Sequence, residues 1–531
     1  MAEPWTTRSW RGFPLALWLI AMLHALTLFV YSVLFPMYRA PDEHIHVDRV
    51  LAFRDSFVFH EFHEREIDAV VDASRASVAG AGGSRHLRAE DAPPRHERPP
   101  FEDVPPSPRQ RHPNIVSNHP PLYYAYLTTA STMLTSLVPG IHWSWDLVVA
   151  LLRLLTILLL VPLPFLLFAT ARRLRAPPEA SLAAALVPLG IPMLTNIGST
   201  VNNDNLLLAL GGVLAYLVAR IGTGDASVRT AVVAGVVGGL ALYTKGFALT
   251  VPLWLVAGYA ALARRAADVA LAGRRLAVSL GLAFTAGGWW WLRNVLLFDR
   301  VQTGVGGLRA PAPPEFVPDW GWWLGKYASW LLDRFWGSFG RVDVNLPRAI
   351  SLAATALVLL GVAWALVSRP RERGDRWTLA ALLVPFLSLL AFVTYGATRA
   401  YRYAGQPVGF HGRYLYGGVP GLAVVAAVGW TLLLGRLRRL VPALAFAWVA
   451  VMQLVSVPMI LRWYWGPAGP APITERVAAV LAWSPWPPAV VVTAIVLTAA
   501  VGATTAVVLV RHALAPSSHS ASGPDTSARR P

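Results

Sequence analysis

The sequence predicts an all-α polytopic membrane protein with about twelve transmembrane helices, within a range of eleven to thirteen, and with juxtamembrane helices in its first outer loop. Three observations predict it. Of 531 residues, 55% are hydrophobic and only 14% charged, whereas soluble domains carry roughly 25% charged residues. Apolar runs long enough to cross a hydrocarbon core, about 20 residues at 1.5 Å rise, recur along the chain. Arginine clusters occupy alternate connections between these runs, the sidedness pattern of cytoplasmic loops. The chain has no cysteine, which excludes disulfides, thiolate metal sites and a cysteine nucleophile.

Residues 1–12 read as a cytoplasmic N-terminus carrying Arg8 and Arg11. The first run, 13–36, is too long for a signal-peptide core and lacks a small-residue cleavage site, so it is expected to remain as an anchor. The outer loop 37–145 follows, with a Pro-, Arg-, His- and Glu-rich middle at about 72–112 that is expected to be mobile. Further spans are expected at 146–171, 179–197, 204–220, 228–244, 246–263, 276–298, 350–368, 377–396, 414–434, 440–460 and 487–510. The main membrane domain is 13–435, the C-terminal transmembrane helices fall in 436–512, and 513–531 reads as a disordered cytoplasmic tail. The second outer loop, 299–349, carries Trp320, Trp322, Trp323, Tyr327, Trp330, Phe335 and Trp336, an aromatic set suited to the headgroup level.

The stretch Pro120–Val138 is apolar but rich in Thr and Ser. Sidedness decides it. With 120–138 lying beside the membrane, Arg172/Arg173/Arg175, Arg220 with Arg229, Arg264/Arg265/Arg274/Arg275, Arg369/Arg371/Arg373/Arg376, Arg436/Arg438/Arg439 and Arg511 all fall inside. Counted as a span it would put them outside, against the positive-inside rule. It is therefore expected to be an interfacial or re-entrant helix. The net charge of 46 − 29 = +17 acquires a meaning from this topology. Twenty-one of the 46 basic residues lie in the inferred cytoplasmic segments, while residues 38–145 hold 14 Asp/Glu against 11 Arg. The charge orients the chain in the membrane; no nucleic-acid partner is expected. Both termini are placed in the cytoplasm.

This topology gathers polar residues from five connections at one outer boundary. They are Pro41-Asp42-Glu43-His44-Ile45-His46, the knot Asn202-Asn203-Asp204-Asn205, Lys245 in a tight turn, Arg293-Asn294 after three tryptophans, and His411-Gly412-Arg413-Tyr414. Ionisable groups at the edge of hydrocarbon are costly unless paired or used. Each has a structural reading too: Asp42, Glu43 and Asp204 as helix caps or first-turn acids, Arg413 and Lys245 as snorkelling anchors. Arg153, seven residues inside a span, reaches either the outer interface or a carboxylate. His60, His63, His86, His96 and His112 show no ligand-like spacing. An acid at this boundary suits general-base work on an acceptor hydroxyl, and cations suit the phosphate of a lipid-linked donor. A carboxylate pair could instead hold a divalent cation such as Mg or Mn.

The motif Pro41-Asp42-Glu43-x-x-His46 after the first span resembles a bacterial family of multi-spanning membrane proteins. Asn118-His119-Pro120-Pro121-Leu122-Tyr123-Tyr124, the knot Asn202–Asp204, Trp289-Trp290-Trp291-Leu292-Arg293-Asn294 and Gly412-Arg413-Tyr414-Leu415 are similar to it as well. That family in turn resembles the GT-C superfamily, which transfers sugars from polyprenyl-phosphate carriers on the non-cytoplasmic side. The resemblance implies a GT-C-like glycosyltransferase in the bacterial cytoplasmic (inner) membrane, active on its outer face. The implied partners are a polyprenyl-phosphate-linked sugar donor, an envelope glycan, lipid or protein acceptor, and membrane lipids. It implies Asp42 as general base, with Glu43 and Asp204 orienting the acceptor or binding a cation, and Lys245, Arg293 and Arg413 binding the donor phosphate. His46, His119, Tyr123, Asn202, Asn294, His411 and Tyr414 are expected to support the site or contact substrate. The usual Gln before Gly-Arg-Tyr is His411 here, a departure that leaves the role of that position open. A transporter or flippase of a lipid-linked glycan is the alternative, and a non-catalytic scaffold a third. The transporter reading calls for midplane charges and repeated halves with broken helices, and the sequence shows neither.

Overall fold

The computed structural model describes residues 9–59, 64–79, 85–106, 112–302, 310–340, 342–368, 375–407 and 410–515. The expectations for Arg8, His60, His63, Arg369, Arg371, Arg373 and residues 516–531 lie outside the described residues.

The first half supplies α1 (Leu15–Leu34), α2 (Glu43–Asp55), α3 (Ala69–Ser77), α4 (Leu122–Leu137), α5 (Trp145–Leu160), α6 (Leu163–Arg173), α7 (Pro178–Leu186), α8 (Pro192–Gly198), α9 (Asp204–Gly222) and α10 (Val228–Leu242). The second supplies α11 (Val251–Ala266), α12 (Val269–Ala283), α13 (Trp289–Phe298), α14 (Trp320–Trp336), α15 (Arg348–Val367), α16 (Asp375–Ala404), α17 (Val419–Leu434), α18 (Val441–Tyr464), α19 (Ile473–Trp483) and α20 (Pro488–Leu514). Two short antiparallel ribbons, Ser9–Trp10 with Phe13–Pro14 and Ser338–Phe339 with Val344–Asn345, accompany the helices, together with short 3₁₀ turns.

All twelve expected apolar runs fall on helices. Nine helices among the described residues are long and apolar enough to cross a membrane, or ten if Pro178–Gly190 and Pro192–Gly198, bent by 72°, form one span. The remaining difference between ten and twelve has two causes. Val228–Leu242 is only 15 residues long, and the runs 414–434 and 440–460 lie in one helical stretch, Gly412–Tyr464. A straight helix of that length would reach roughly 80 Å, far beyond a bilayer core of about 30 Å. Its two parts both pack on α7, and between them the 3₁₀ turn Gly435–Leu440 begins at a left-handed glycine, φ 50°. The chain therefore doubles back there.

Burial sorts the bundle. The windows of α1, α5–α6 and α9 are 67% buried, whereas those of Val269–Phe298 and α20 are 17% and 22% buried. The first set forms the interior, and the second leaves its apolar faces for lipid. Small residues let helices touch by their backbones, the packing device available where lipid removes any hydrophobic drive. A Cβ on Gly429 of α17 would sit 1.7 Å from the Gly361 carbonyl oxygen of α15.

Residues 120–138 fold as α4, 16 residues long, which packs on α2 and α5 and leaves Met133, Leu134 and Leu137 exposed. It is not among the helices long and apolar enough to span, in keeping with an interfacial helix. The aromatic stretch of the second loop folds as α14, with Trp323, Tyr327, Phe335 and Trp336 buried and Trp320, Trp322 and Leu324 exposed. The expected mobility of 72–112 is corrected for its described parts, 72–79, 85–106 and 112. Leu87 donates its backbone N–H to the Tyr464 carbonyl and accepts from Gly466 N, and Arg98 donates to the carbonyls of Ala482 and Trp483 while pairing with Asp146 at 2.5 Å. Proline-rich, charged composition was a poor guide because the partners sit some 385 residues away on α19.

Candidate active site

Four charged side chains alternate in sign along one chain of contacts. Asp42 pairs with the Arg413 guanidinium, whose Nε lies 3.7 Å from Asp204 Oδ2. Asp204 Oδ1 in turn accepts from Lys245 Nζ at 2.6 Å. The four come from the turn after α1, the start of α9, the turn after α10 and the start of Gly412–Tyr464, so these contacts bring four helix ends to one end of the bundle. The arginine-rich connections meet elsewhere: Arg265 donates to Gly222, Arg275 to Ala226, and Arg438 approaches Glu179.

Asp42 sits at the N-cap of α2 with φ 63°, a left-handed conformation that Asp tolerates better than most residues. Its side chain makes no cap bond; it goes to Arg413 instead. Asp204 is the first residue of α9, and its side chain goes to Lys245. Neither acid spends itself on a helix end. Within the quartet Asp204, Lys245 and Arg413 are buried, while the Asp42 side chain is 39% exposed. Asp42 is thus the member that water or a substrate reaches. Burial raises the pKa of its carboxyl, but the Arg413 guanidinium, helped by His46 and His411, outweighs this and holds it below the usual carboxylate range.

A polar shell fixes these groups. Tyr123 Oη, bonded to Thr156, accepts from the backbone of Asn202 at 2.9 Å, and Asn202 Oδ1 accepts from the backbone of Asp204. Asn203 Nδ2 meets His119 Nδ1 at 2.9 Å, and His46 Nδ1 meets Tyr124 Oη at 2.9 Å. The Tyr414 ring centroid lies 5.5 Å from Lys245 Nζ and 5.4 Å from the centroid of the His411 ring, the two rings being edge to face. Gly412 allows this: a Cβ there would lie 2.3 Å from the backbone of Phe335 in α14. His46, His119, Tyr123, Asn202, His411 and Tyr414 therefore lie around the quartet.

Three expectations change. Glu43 is fully buried and faces away from the quartet, where Oε1 accepts from Arg153 Nε at 2.7 Å and Val201 N, and Oε2 from Arg153 Nη2 at 2.6 Å and Tyr38 N. With its lone pairs filled, it has none to spare for an acceptor or a cation. Arg293 does not join the quartet. It lies 4.8 Å from the Trp290 ring and donates to Asn294, which itself donates to Val301. Lys245 and Arg413 do lie at the site, but their charges are already matched by Asp204 and Asp42. As for a divalent cation, Arg413 bridges the two carboxylates that would share it, and no three His, Asp or Glu side chains converge as a ligand set among the described residues. The donor set does not fit, and no step below runs through a metal.

Sequence reasoning missed Arg49 and Tyr124 as parts of the site, and it named Asn203 only as a member of the polar knot. For Arg49 a signal existed: His46, Arg49 and Phe53 recur at helical spacing on one stripe of α2, the helix that starts directly after Asp42. A cavity of about 390 Å³ borders Pro36, Met37, Trp145, Trp465 and Trp483, but no quartet residue lines it.

The histidines make the site pH-sensitive. Burial, reinforced by Lys245, lowers His119 to about 3; burial, reinforced by Arg413, lowers His411 to about 3. An unfolded histidine protonates near pH 6.5, so below that pH the unfolded state binds protons that the folded state refuses. Stability is therefore expected to fall as pH drops from about 6.5, by at most about 1.4 kcal/mol per pH unit for each histidine, and less where water reaches the ring. Thermal unfolding in detergent at about pH 7.5 and about pH 5 checks this, and equal midpoints would contradict the neutral state of both rings.

Fold and site together define a polytopic helical membrane protein with a buried carboxylate–cation chain at one end of its bundle. Within that class the chain belongs to the family described as "Predicted membrane protein (DUF2142)", whose profile matches residues 25–422. Among curated proteins none matches the sequence. Among solved structures it is similar to ArnT from Cupriavidus metallidurans bound to undecaprenyl phosphate, at 15% identity and a TM-score of 0.44 over 92% of this chain and 76% of that one. The apo state of the same enzyme gives 0.42 at 15% identity with the same coverage. The Archaeoglobus fulgidus oligosaccharyltransferase, tethered to an acceptor peptide, gives 0.41 at 13% identity over 88% of this chain and 55% of that one.

Proposed function

We propose that the protein is a GT-C-type membrane glycosyltransferase. It moves a sugar from a polyprenyl-phosphate donor to an envelope glycan, lipid or protein acceptor on the non-cytoplasmic face of the bacterial cytoplasmic membrane. The observation that carries this reading is the quartet itself: two acids released from capping, fixed by two cations at one end of the bundle, with Asp42 alone accessible. The positive-inside pattern supports assigning that end to the outer face, where a lipid-linked donor keeps its tail in the bilayer and its head at the boundary.

In the reaction the acceptor oxygen attacks the anomeric carbon, the bond from that carbon to the phosphate oxygen breaks, and the electron pair leaves with the phosphate. The acceptor proton passes to Asp42. A carboxylate held ionised by Arg413 is a weak base, yet the acceptor hydroxyl becomes strongly acidic as its oxygen bonds to an oxocarbenium-like carbon, so a late proton transfer to Asp42 suffices. Asp204 holds Lys245 and Arg413 in place behind it. Deleting the gene and analysing the membrane lipids by mass spectrometry tests the proposal. A lipid-linked sugar should accumulate, and restored wild-type protein should clear it; an unchanged lipid-linked pool would overturn it.

A further inference from the structure

The quartet is electroneutral, two carboxylates against two cations, so it offers an incoming anion no unmatched positive charge. A different cation does. Arg49 on α2 is 0% exposed, yet its Nε and Nη1 have no hydrogen-bond partner. Its one hydrogen bond among the described residues is Nη2 to the Val58 carbonyl at 3.3 Å, and its guanidinium rests 4.3 Å from the Phe53 ring. The neighbouring Asp48 does not neutralise it. That carboxylate is taken by Arg65 at 3.0 Å, Asn114 at 2.5 Å and the backbone of Asp68 at 2.9 Å.

An unpaired buried guanidinium is among the costlier features a fold can hold. Its place explains why it is there. Arg49 lies one turn beyond His46 on α2, and α2 begins directly after Asp42, which puts Arg49 seven residues from Asp42, about two turns or roughly 10 Å along the axis. Its charge reaches His119 and Tyr124, both of which belong to the polar shell of the quartet. A planar fork of donors with four of its five N–H groups unused matches the oxygens of a phosphate. Burial, with Arg65 adding to it and Tyr124 and Asp48 opposing it, draws the Arg49 pKa down to about 10, so it remains charged at neutral pH.

We propose that Arg49 is the phosphate-binding residue of this site, holding a phosphate group of the substrate two helical turns from Asp42. The identity of that substrate as a lipid-linked donor rests on the glycosyltransferase reading; the anion site itself does not. Arg49 takes over the role that the sequence pattern assigned to Lys245, Arg293 and Arg413. It completes a division of labour in which paired cations order the acids and the unpaired cation receives the ligand.

The test uses the full chain in nanodiscs, comparing wild type with Arg49→Met, which keeps length and removes charge, and Arg49→Lys, which keeps charge and loses the fork. Probes are undecaprenyl phosphate, inorganic phosphate and pyrophosphate, read by thermal shift and by titration. Wild type should be stabilised by at least one phosphate probe. Arg49→Met should raise its Kd at least tenfold while its probe-free unfolding midpoint stays equal or rises, because the unpaired charge has gone. Arg49→Lys should fall between. Stabilisation of Arg49→Met equal to wild type would overturn the proposal, as would a wild type that no phosphate probe stabilises. Should inorganic phosphate bind through Arg49 and undecaprenyl phosphate fail to bind, the anion site stands and the lipid-linked donor is what falls. If only the lipid form binds, the headgroup is confirmed as its source.

Discussion

Asp42→Asn is expected to lower sugar transfer by about 10²- to 10⁴-fold, the range that a positioned general base contributes, while leaving the fold intact. The two halves of this expectation come from the same geometry. The Asp42 side chain is the 39% exposed member of the quartet, and Arg413 keeps Asp204 Oδ2 at 3.7 Å when the Asp42 charge is removed, so the exchange costs less stability than the loss of a buried acid. The asparagine still occupies the left-handed N-cap position, a conformation Asn also tolerates. What disappears is the proton acceptor. Asp204→Asn should behave differently. It strands Lys245 and Arg413, both buried, and so lowers the unfolding midpoint as well as the rate. The check is transfer by membranes or purified protein, with the lipid-linked sugar identified from the deletion strain as donor, alongside thermal unfolding of each variant. Wild-type rates in both variants would refute the assignment of Asp42 and Asp204 to the reaction. An equal loss of stability in both would show that Asp42 acts only as a structural partner of Arg413.

Much of this arrangement was legible before any coordinates. Long apolar runs located the helices that, among the described residues, are long and apolar enough to span, because hydrocarbon imposes one requirement, internal satisfaction of the backbone, on every segment that enters it. Helix ends were less legible. The bend between Gly190 and Pro192 and the doubling back at Gly435 interrupt runs that hydropathy sees as continuous or separate. The same reasoning brought Asp42, Asp204, Lys245 and Arg413 to one boundary, since four connections on one side of a bundle have few places to go. It could not say which charges would pair. Asp42 and Glu43 are adjacent and look alike, and only the position of Arg153, 110 residues later, separates an accessible acid from a buried one. Arg49 was hidden for a similar reason. In a helix reading Glu-His-Ile-His-Val-Asp-Arg, an arginine beside an aspartate suggests a solvated pair, and the partner that removes Asp48 is Arg65, outside the helix.

The Glu43–Arg153 pair carries the second large expectation. All the donor groups of Arg153 are committed: Nε and Nη2 to Glu43, Nη1 to the carbonyls of Ser32 at 2.5 Å and Phe35 at 2.8 Å, and Nη2 also to Pro36 at 3.2 Å. Those carbonyls end α1, where the last turn has no helical partner of its own. Glu43 in turn collects the backbone of Tyr38 and Val201. One ion pair thus ties the end of α1, the Pro36–Asp42 turn and the start of the α9 knot, and so sets where Asp42 stands. Breaking it from one side leaves a buried charge with nothing opposite, which costs about 3–5 kcal/mol. Glu43→Gln and Arg153→Met are each expected to unfold at markedly lower temperature, or to fail to accumulate in the membrane. The double variant Glu43→Gln/Arg153→Met should regain part of the loss, because no charge is then stranded. Thermal unfolding of the four proteins as a double-mutant cycle measures the coupling. The decisive outcome is Glu43→Gln: a stable protein that no longer transfers sugar would return Glu43 to the chemistry, whereas a destabilised one whose residual folded fraction still transfers would confirm that this acid builds the site without acting in it.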